Sequence, residues 1–193
     1  MTLRIIAGTF KGRLLKAPKA VSTRPTQGML REAVFNILQN QIGEARFLDL
    51  FAGSGAMGFE ALSRGAAFAA FVEQNRQASA CIKENAHSLQ VENQMELFPM
   101  PAERALALLN KQNARFDLVY IDPPYDTPIS YLQTLLTHLE SLLLPNALVF
   151  IEERHSPKAP PFSFESPNWM LKNSRRFGIA LLHQFSFSGM RGA

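Results

Sequence analysis

Asp122-Pro123-Pro124-Tyr125 is the stretch whose residue types most directly imply chemistry. Two consecutive prolines hold the chain extended and remove two backbone donors. The carbonyls of Asp122 and Pro123 are then left as acceptors, the Asp122 side chain adds a third, and Tyr125 offers a flat face. That set suits a planar ring bearing an exocyclic amino group, with the acceptors on its N–H bonds and the aromatic stacked on the ring. An aromatic amine is a poor nucleophile because its lone pair is delocalised. Acceptors on its hydrogens favour a pyramidal nitrogen with the lone pair aimed at an electrophile, by orientation and electrostatics. The alternative is a proline-stiffened strand-to-helix turn with Tyr125 packed beside it.

A second constellation lies in residues 46–60, RFLDLFAGSGAMGFE. The apolar run Phe47-Leu48-Asp49-Leu50-Phe51 reads as a buried strand that breaks at Ala52-Gly53-Ser54-Gly55, before a small-residue helix from about Met57. Glycines allow a tight turn and leave no side chain between backbone and ligand. Amides at the helix start point outward and can hold a polar or anionic group. Gly53, Gly55 and Gly58 fit G-x-G-x-x-G, and Glu73 ends the next strand about 20 residues after the first glycine, where a nucleotide ribose would sit. A plain tight turn is the alternative; strand, loop, helix, strand and acid in this order favour a nucleoside site.

These stretches need a scaffold, and the periodicity supplies one. Strands are expected at 66–73, 95–98, 116–121 (FDLVYI) and 147–152. Helices are expected at about 57–64, from Asn75 through Leu89, at 102–109 and at 129–143. Alternating strand and helix over 46–152 argues for a parallel sheet with helices on both faces. Ligands bind beyond the C-terminal ends of such strands, so the glycine loop, Glu73 and the Asp122 turn converge on one rim. Residues 154–168, with four prolines, read as a surface loop. Strands at 169–174 and 179–187 are expected to pair antiparallel across Arg175-Arg176-Phe177-Gly178. Ahead of the sheet, residues 3–16 read as two short strands around a turn, and 17–24 as an extended connector. A helix is expected from about Gln27 to Asn40 with Thr26 as N-cap. Arg24 and Thr26 thus sit on a tether suited to facing the site.

The chain has 193 residues, enough for one core with a small appendage. No apolar run approaches the roughly 20 residues that span a bilayer, and Met1-Thr2-Leu3-Arg4 has no signal architecture, so a cytoplasmic location without membrane contact is expected. Cys81 is the sole cysteine, which excludes an intrachain disulfide or a cysteine metal cluster, and the four histidines are scattered. The net charge of +4 hides an asymmetry: residues 1–31 carry seven cations, Arg4, Lys11, Arg13, Lys16, Lys19, Arg24 and Arg31, and no acid. A basic arm on a slightly acidic body points to a polyanionic partner; a solvated basic face is the bland reading.

The glycine loop Phe51-Ala52-Gly53-Ser54-Gly55 together with Asp122-Pro123-Pro124-Tyr125 resembles class I S-adenosylmethionine-dependent methyltransferases that modify exocyclic amines. Arg4-Ile5-Ile6-Ala7-Gly8, Lys11-Gly12-Arg13, Arg24-Pro25-Thr26, Arg31-Glu32, Phe35-Asn36 and Glu60-Ala61-Leu62-Ser63-Arg64-Gly65 narrow the resemblance to the RsmD family, which methylates the guanine N2 amine of 16S ribosomal RNA. The likeness runs from about residue 3 to 187. It implies a Rossmann-like α/β sheet, mostly parallel with a C-terminal antiparallel strand, over residues 46–193. A small basic hairpin-and-helix extension over 1–45 would bind RNA. Asp49, Ala52, Gly53, Ser54, Gly55 and Gly58 would hold the methionine end of S-adenosylmethionine, and Glu73 both ribose hydroxyls. The turn from Asp122 to Tyr125 would hold guanine N2, its proton leaving to Asp122 or water. Arg4, Lys11, Arg13, Arg24 and Thr26 would face RNA, with phosphate contacts that weaken in salt. Where the family usually carries Asp-Ala, this chain has Pro101-Ala102-Glu103, which assigns adenine recognition to the Ala102 backbone. The partner would be 16S ribosomal RNA, free or in an assembling small subunit, and the enzyme a monomer.

Three other readings compete. A DNA adenine-N6 methyltransferase shares the acceptor turn but normally needs an added domain to read sequence. An NAD-dependent oxidoreductase shares the glycine spacing but leaves Asp122-Pro123-Pro124-Tyr125 unused. A nucleic-acid-binding module without activity predicts binding but no turnover.

Overall fold

The computed structural model describes residues 3–18, 25–124, 126–154, 162, 164 and 166–189, with residues 25 and 26 by backbone alone. Apolar runs buried on both faces build the middle of its sheet. β1 (Arg46–Leu50) pairs in parallel with β2 (Phe68–Val72) and with β4 (Phe116–Ile121). β3 (Met95–Phe98) extends the sheet beyond β2, and β5 (Leu143–Arg154) extends it beyond β4, both in parallel. β7 (Ala180–Phe187) runs antiparallel to β5 and to the outer strand β6 (Trp169–Phe177), giving the order β3-β2-β1-β4-β5-β7-β6. Chain direction across the sheet reverses between β1 and β4, and ligand crevices of doubly wound sheets open at that switch point.

Helices cover both faces. α2 (Ala56–Ser63) and α3 (Arg76–Leu89) lie on one face with α1 (Pro25–Leu38); α4 (Ala102–Lys111) and α5 (Ile129–Leu139) lie on the other. Each buries a stripe at helical spacing, as Leu132, Leu135, Leu136 and Leu139 do on α5. Ile5 and Leu15 of the N-terminal segment and Leu30, Val34, Phe35 and Leu38 of α1 share one core with Phe47, Phe59 and Phe71. Among the described residues no helix is long and apolar enough to cross a membrane.

Several boundaries differ from the sequence reading. α1 starts at Pro25, so Thr26 lies inside the first turn and is not the N-cap; proline's fixed φ and missing N–H suit that first position. Residues 3–16 form a hairpin with one isolated bridge, Arg4 to Leu14, because several amides bond elsewhere. Ile6 and Ala7 donate to the Glu60 carboxylate at 2.8 and 2.9 Å, Thr9 to the Ser63 carbonyl at 2.7 Å and Phe10 to Ser63 Oγ at 3.0 Å. β5 begins earlier than its apolar run because Leu143 pairs with Phe116 before a register shift that accommodates Pro145 and Asn146, the latter at φ 68°. The turn joining β6 to β7 falls at Gly178-Ile179 and does not span Arg175 to Gly178, since Arg175, Arg176 and Phe177 remain in the ladder.

Candidate active site

The glycine loop leaves β1 through a strained residue. Phe51 takes φ 62°, a left-handed conformation that costs a bulky side chain roughly 1–3 kcal/mol. The surroundings hold it there: Ala52 donates to Val72 O at 3.0 Å, and Gly55 closes the turn onto Ala52 O at 2.8 Å before opening α2. Ser54 is buried, and its carbonyl accepts from Asn85 Nδ2 at 3.1 Å.

The three glycines separate by environment. A side chain at Gly58 would collide with the Phe71 ring, and one at Gly55 with Phe59 and Phe71; at Gly53 it would meet nothing within 4 Å. Gly55 and Gly58 therefore let α2 pack on β2, while Gly53 faces open space. Gly58 also donates its N–H to Asp49 Oδ2 at 3.0 Å. Burial of Asp49 pushes its carboxyl well above the usual range, the Gly58 N–H opposes this, and the charges of Asp122 and Glu73 add to it.

Glu73 is fixed by the loop it faces. Its Oε2 accepts the Gly53 N–H and its Oε1 the Asn75 N–H, both at 2.7 Å. Each oxygen keeps a further lone pair for a ligand hydroxyl. Next along the rim, Ala102 opens α4 after Pro101, where the first N–H groups have no intrahelical acceptor. Glu103 is engaged elsewhere: its carboxylate accepts from the Tyr131 hydroxyl, and burial together with that carboxylate pushes Tyr131 up to about 12.

Asp122 leaves β4 beside the glycine loop, its N–H reaching Leu50 O at 3.4 Å. Pro123 is buried, Pro124 is exposed, and Thr127 N closes the turn onto Pro124 O at 2.9 Å. Tyr125 lies outside the described residues, as does Arg24. Burial and the charge of Glu152 push Asp122 up to about 8. Glu152 itself is raised by burial, opposed by the hydrogen bond from Tyr120, whose hydroxyl donates to Glu152 Oε2 at 2.7 Å.

Sequence reasoning missed Glu152 and Tyr120. Inside VFIEER the acid has no motif around it, and only the β4/β5 register, with Ile121 opposite Ile151, sets it across from Asp122. Four neighbouring strands, β2, β1, β4 and β5, thus deliver Glu73, Asp49, Asp122 and Glu152 to one rim.

The N-terminal cations lie differently. Arg4 is exposed and its carbonyl accepts from the Arg31 guanidinium at 2.8 Å. Lys11 sits at the hairpin tip, beside the end of α2 remote from the glycine loop, as the Thr9 and Phe10 contacts with Ser63 require. Arg13 donates to Ser88 O, and Lys16 pairs with Glu84 at 2.6 Å. A cavity of about 450 Å³ lined by Arg46, Phe68 and Arg115 opens at the opposite end of the sheet, away from all four acids.

The family model described as Conserved hypothetical protein 95 matches residues 3–186. The chain is similar to Ribosomal RNA small subunit methyltransferase D of Haemophilus influenzae, at 32% identity over 178 residues, covering 92% of this chain and 90% of that protein. It is similar to the Escherichia coli K12 protein of the same name at 33% identity over 179 residues, covering 91% and 85%. The solved structure of yhhF from Escherichia coli superposes with a TM-score of 0.80 at 31% identity, covering 98% of this chain and 100% of that one.

Proposed function

The chain belongs to the family described as Conserved hypothetical protein 95, the RsmD family, and from that premise we propose that it moves a methyl group from S-adenosylmethionine to the exocyclic N2 amine of a guanine in 16S ribosomal RNA. It is an rRNA methyltransferase. The observation that carries the finer reading is the side-by-side exit of the glycine loop and the Asp122 turn at the switch point between β1 and β4.

The rim fits the cofactor. Gly53 leaves open space where any side chain would intrude, Glu73 is held with lone pairs to spare for ribose hydroxyls, and the Ala102 amide is free for a ring acceptor. Asp49 and the loop from Ala52 to Gly55 would hold the methionine end. Four acids at one rim favour a positively charged ligand. S-adenosylmethionine bound there supplies an electrophilic methyl group on a cationic sulfur.

The target amine is held by acceptors. Guanine presents adjacent N1–H and N2–H donors, whereas the amines of adenine and cytosine adjoin a ring acceptor. A turn of carboxylate and proline-flanked carbonyls matches two adjacent donors. Positive charge at the rim draws Asp122 back towards its ionised form. In that form it orients the amine and takes the proton the methylated nitrogen sheds. A DNA adenine-N6 methyltransferase is the second reading, favoured by one observation: an Asp122 raised to about 8 could donate to adenine N1.

The enzyme acts in the cytoplasm as a monomer, on free RNA or on an assembling small subunit. The test is mass spectrometry of digested nucleosides after incubation with labelled S-adenosylmethionine and, in parallel, unmodified ribosomal RNA, partly assembled small subunits and DNA. N2-methylguanosine from either RNA sample is expected. N6-methyladenine in DNA, with unlabelled RNA, would replace this reading with the second.

A further inference from the structure

The outer strand β6 brings a cation level with the Asp122 turn. One residue beyond the Ile121–Ile151 pair, Asp122 stands opposite Glu152; Glu152 pairs with Leu182, and Leu182 with Arg175. Paired residues project from the same face. Asp122, Glu152, Leu182 and Arg175 therefore form one row on the face that carries Tyr120, Phe150 and α1. Strands lie about 4.8 Å apart, so three steps put Arg175 roughly 14 Å from Asp122 along the rim.

Arg175 is exposed on an edge strand, and among the described residues its side chain makes no hydrogen bond or ion pair. Its neighbour Arg176 pairs with Leu181, points to the other face, and donates Nε to Gly178 O at 2.9 Å. Three of the hairpin cations are placed elsewhere. Arg13 and Lys16 are committed to Ser88 and Glu84, and Lys11 stands at the far end of α2, which is about 12 Å long. A polynucleotide whose base enters the Asp122 turn leaves its phosphates outside, where the negative charge shared among the rim acids would repel them. A cation in the same row offsets that repulsion.

We propose that Arg175 binds a phosphate of the RNA strand flanking the target guanine, making the β6 edge a wall of the RNA track on the side away from the glycine loop. This rests on the rRNA methyltransferase reading. A guanidinium is suited to the task because its donors engage phosphate oxygens in pairs.

The test compares full-length wild type with Arg175→Ala, Arg175→Lys and Arg176→Ala. Binding to a small-subunit rRNA transcript is measured over a range of salt, alongside the dissociation constant for S-adenosylmethionine and KM and kcat for the RNA. Arg175→Ala should weaken RNA binding roughly three- to tenfold and lower the salt slope by about 0.7. KM for RNA should rise, with kcat and the S-adenosylmethionine dissociation constant unchanged; Arg175→Lys should recover part of the loss and Arg176→Ala should lose less. RNA affinity and slope equal to wild type in Arg175→Ala would overturn the assignment, as would equal losses in Arg175→Ala and Arg176→Ala. A wild type that neither binds nor methylates the transcript would instead remove the underlying reading, and this inference with it.

Discussion

Tyr120 donates its hydroxyl to Glu152 Oε2 at 2.7 Å, and both side chains are buried on the sheet face that carries Asp122. Burial and the Glu152 charge push Asp122 up to about 8. Glu152→Gln keeps the shape and removes that charge, so Asp122 should ionise at lower pH. Because the ionised form receives the amine proton, the rise of kcat with pH should move about one unit towards acid. A pH profile matching wild type would show that Glu152 does not act on Asp122.

The same group sets a stability slope. Asp122 titrates near its ordinary 3.8 when unfolded and at about 8 when folded. Between these values the native state holds a proton that the unfolded chain has lost, so stability falls as pH rises through the window. Asp122→Asn removes this term. Its melting temperature relative to wild type should climb from about pH 5 to about pH 8, while RNA methylation is lost and S-adenosylmethionine still binds. A pH-independent difference in melting temperature would contradict the linkage.

Glu60 ties the hairpin to the sheet. With no exposure to solvent, it accepts from Ile6, Ala7 and Arg64 Nε at 2.8 to 2.9 Å, and Arg31 Nε lies 3.6 Å away. Glu60→Gln places an amide N–H against donors and strips the charge that faces Arg31. A loss of about 3 kcal/mol is expected in urea unfolding. Amide exchange at Ile6 and Ala7 should accelerate beyond the average for the protein; unchanged protection there would mean that the hairpin is held without the Glu60 charge.

Much of this was legible because buried parallel strands are unbroken apolar runs. FDLVYI forms Phe116–Ile121 as its apolar run predicts, and it ends where the prolines begin. β6 was harder. Its residues from Met170 to Arg176 are exposed on an edge strand, and a register shift between Leu171 and Asn173 breaks the period, so the turn was expected too early. Glu152, Glu60 and Arg175 carry no local motif at all. Their roles come from partners distant in sequence, through ladder register or a buried bond to another element, and periodicity holds no information about such pairings.

Glu73 should have two separable effects. Its carboxylate fixes Gly53 N and Asn75 N in addition to the ligand role proposed for it. Glu73→Gln retains one acceptor oxygen and should weaken S-adenosylmethionine binding about tenfold, as loss of a charge-assisted bond implies. Glu73→Ala should weaken it further, because the loop loses its anchor as well. Equal dissociation constants for wild type and Glu73→Ala, by calorimetry, would refute the role.

Gly53 and Gly58 occupy one motif and predict opposite phenotypes. Gly58→Ala forces a methyl group into the Phe71 ring beneath α2, so it should destabilise the fold by about 1–3 kcal/mol. Gly53→Ala meets no protein atom within 4 Å but projects into the space assigned to the ligand. At φ 57° the added side chain costs roughly 1–2 kcal/mol of backbone strain. S-adenosylmethionine affinity should nevertheless fall by a larger factor in Gly53→Ala than in Gly58→Ala, once each is measured well below its melting temperature. If Gly58→Ala proves the weaker binder, the ligand runs along α2 rather than over Gly53, and the assignment of the loop must move with it.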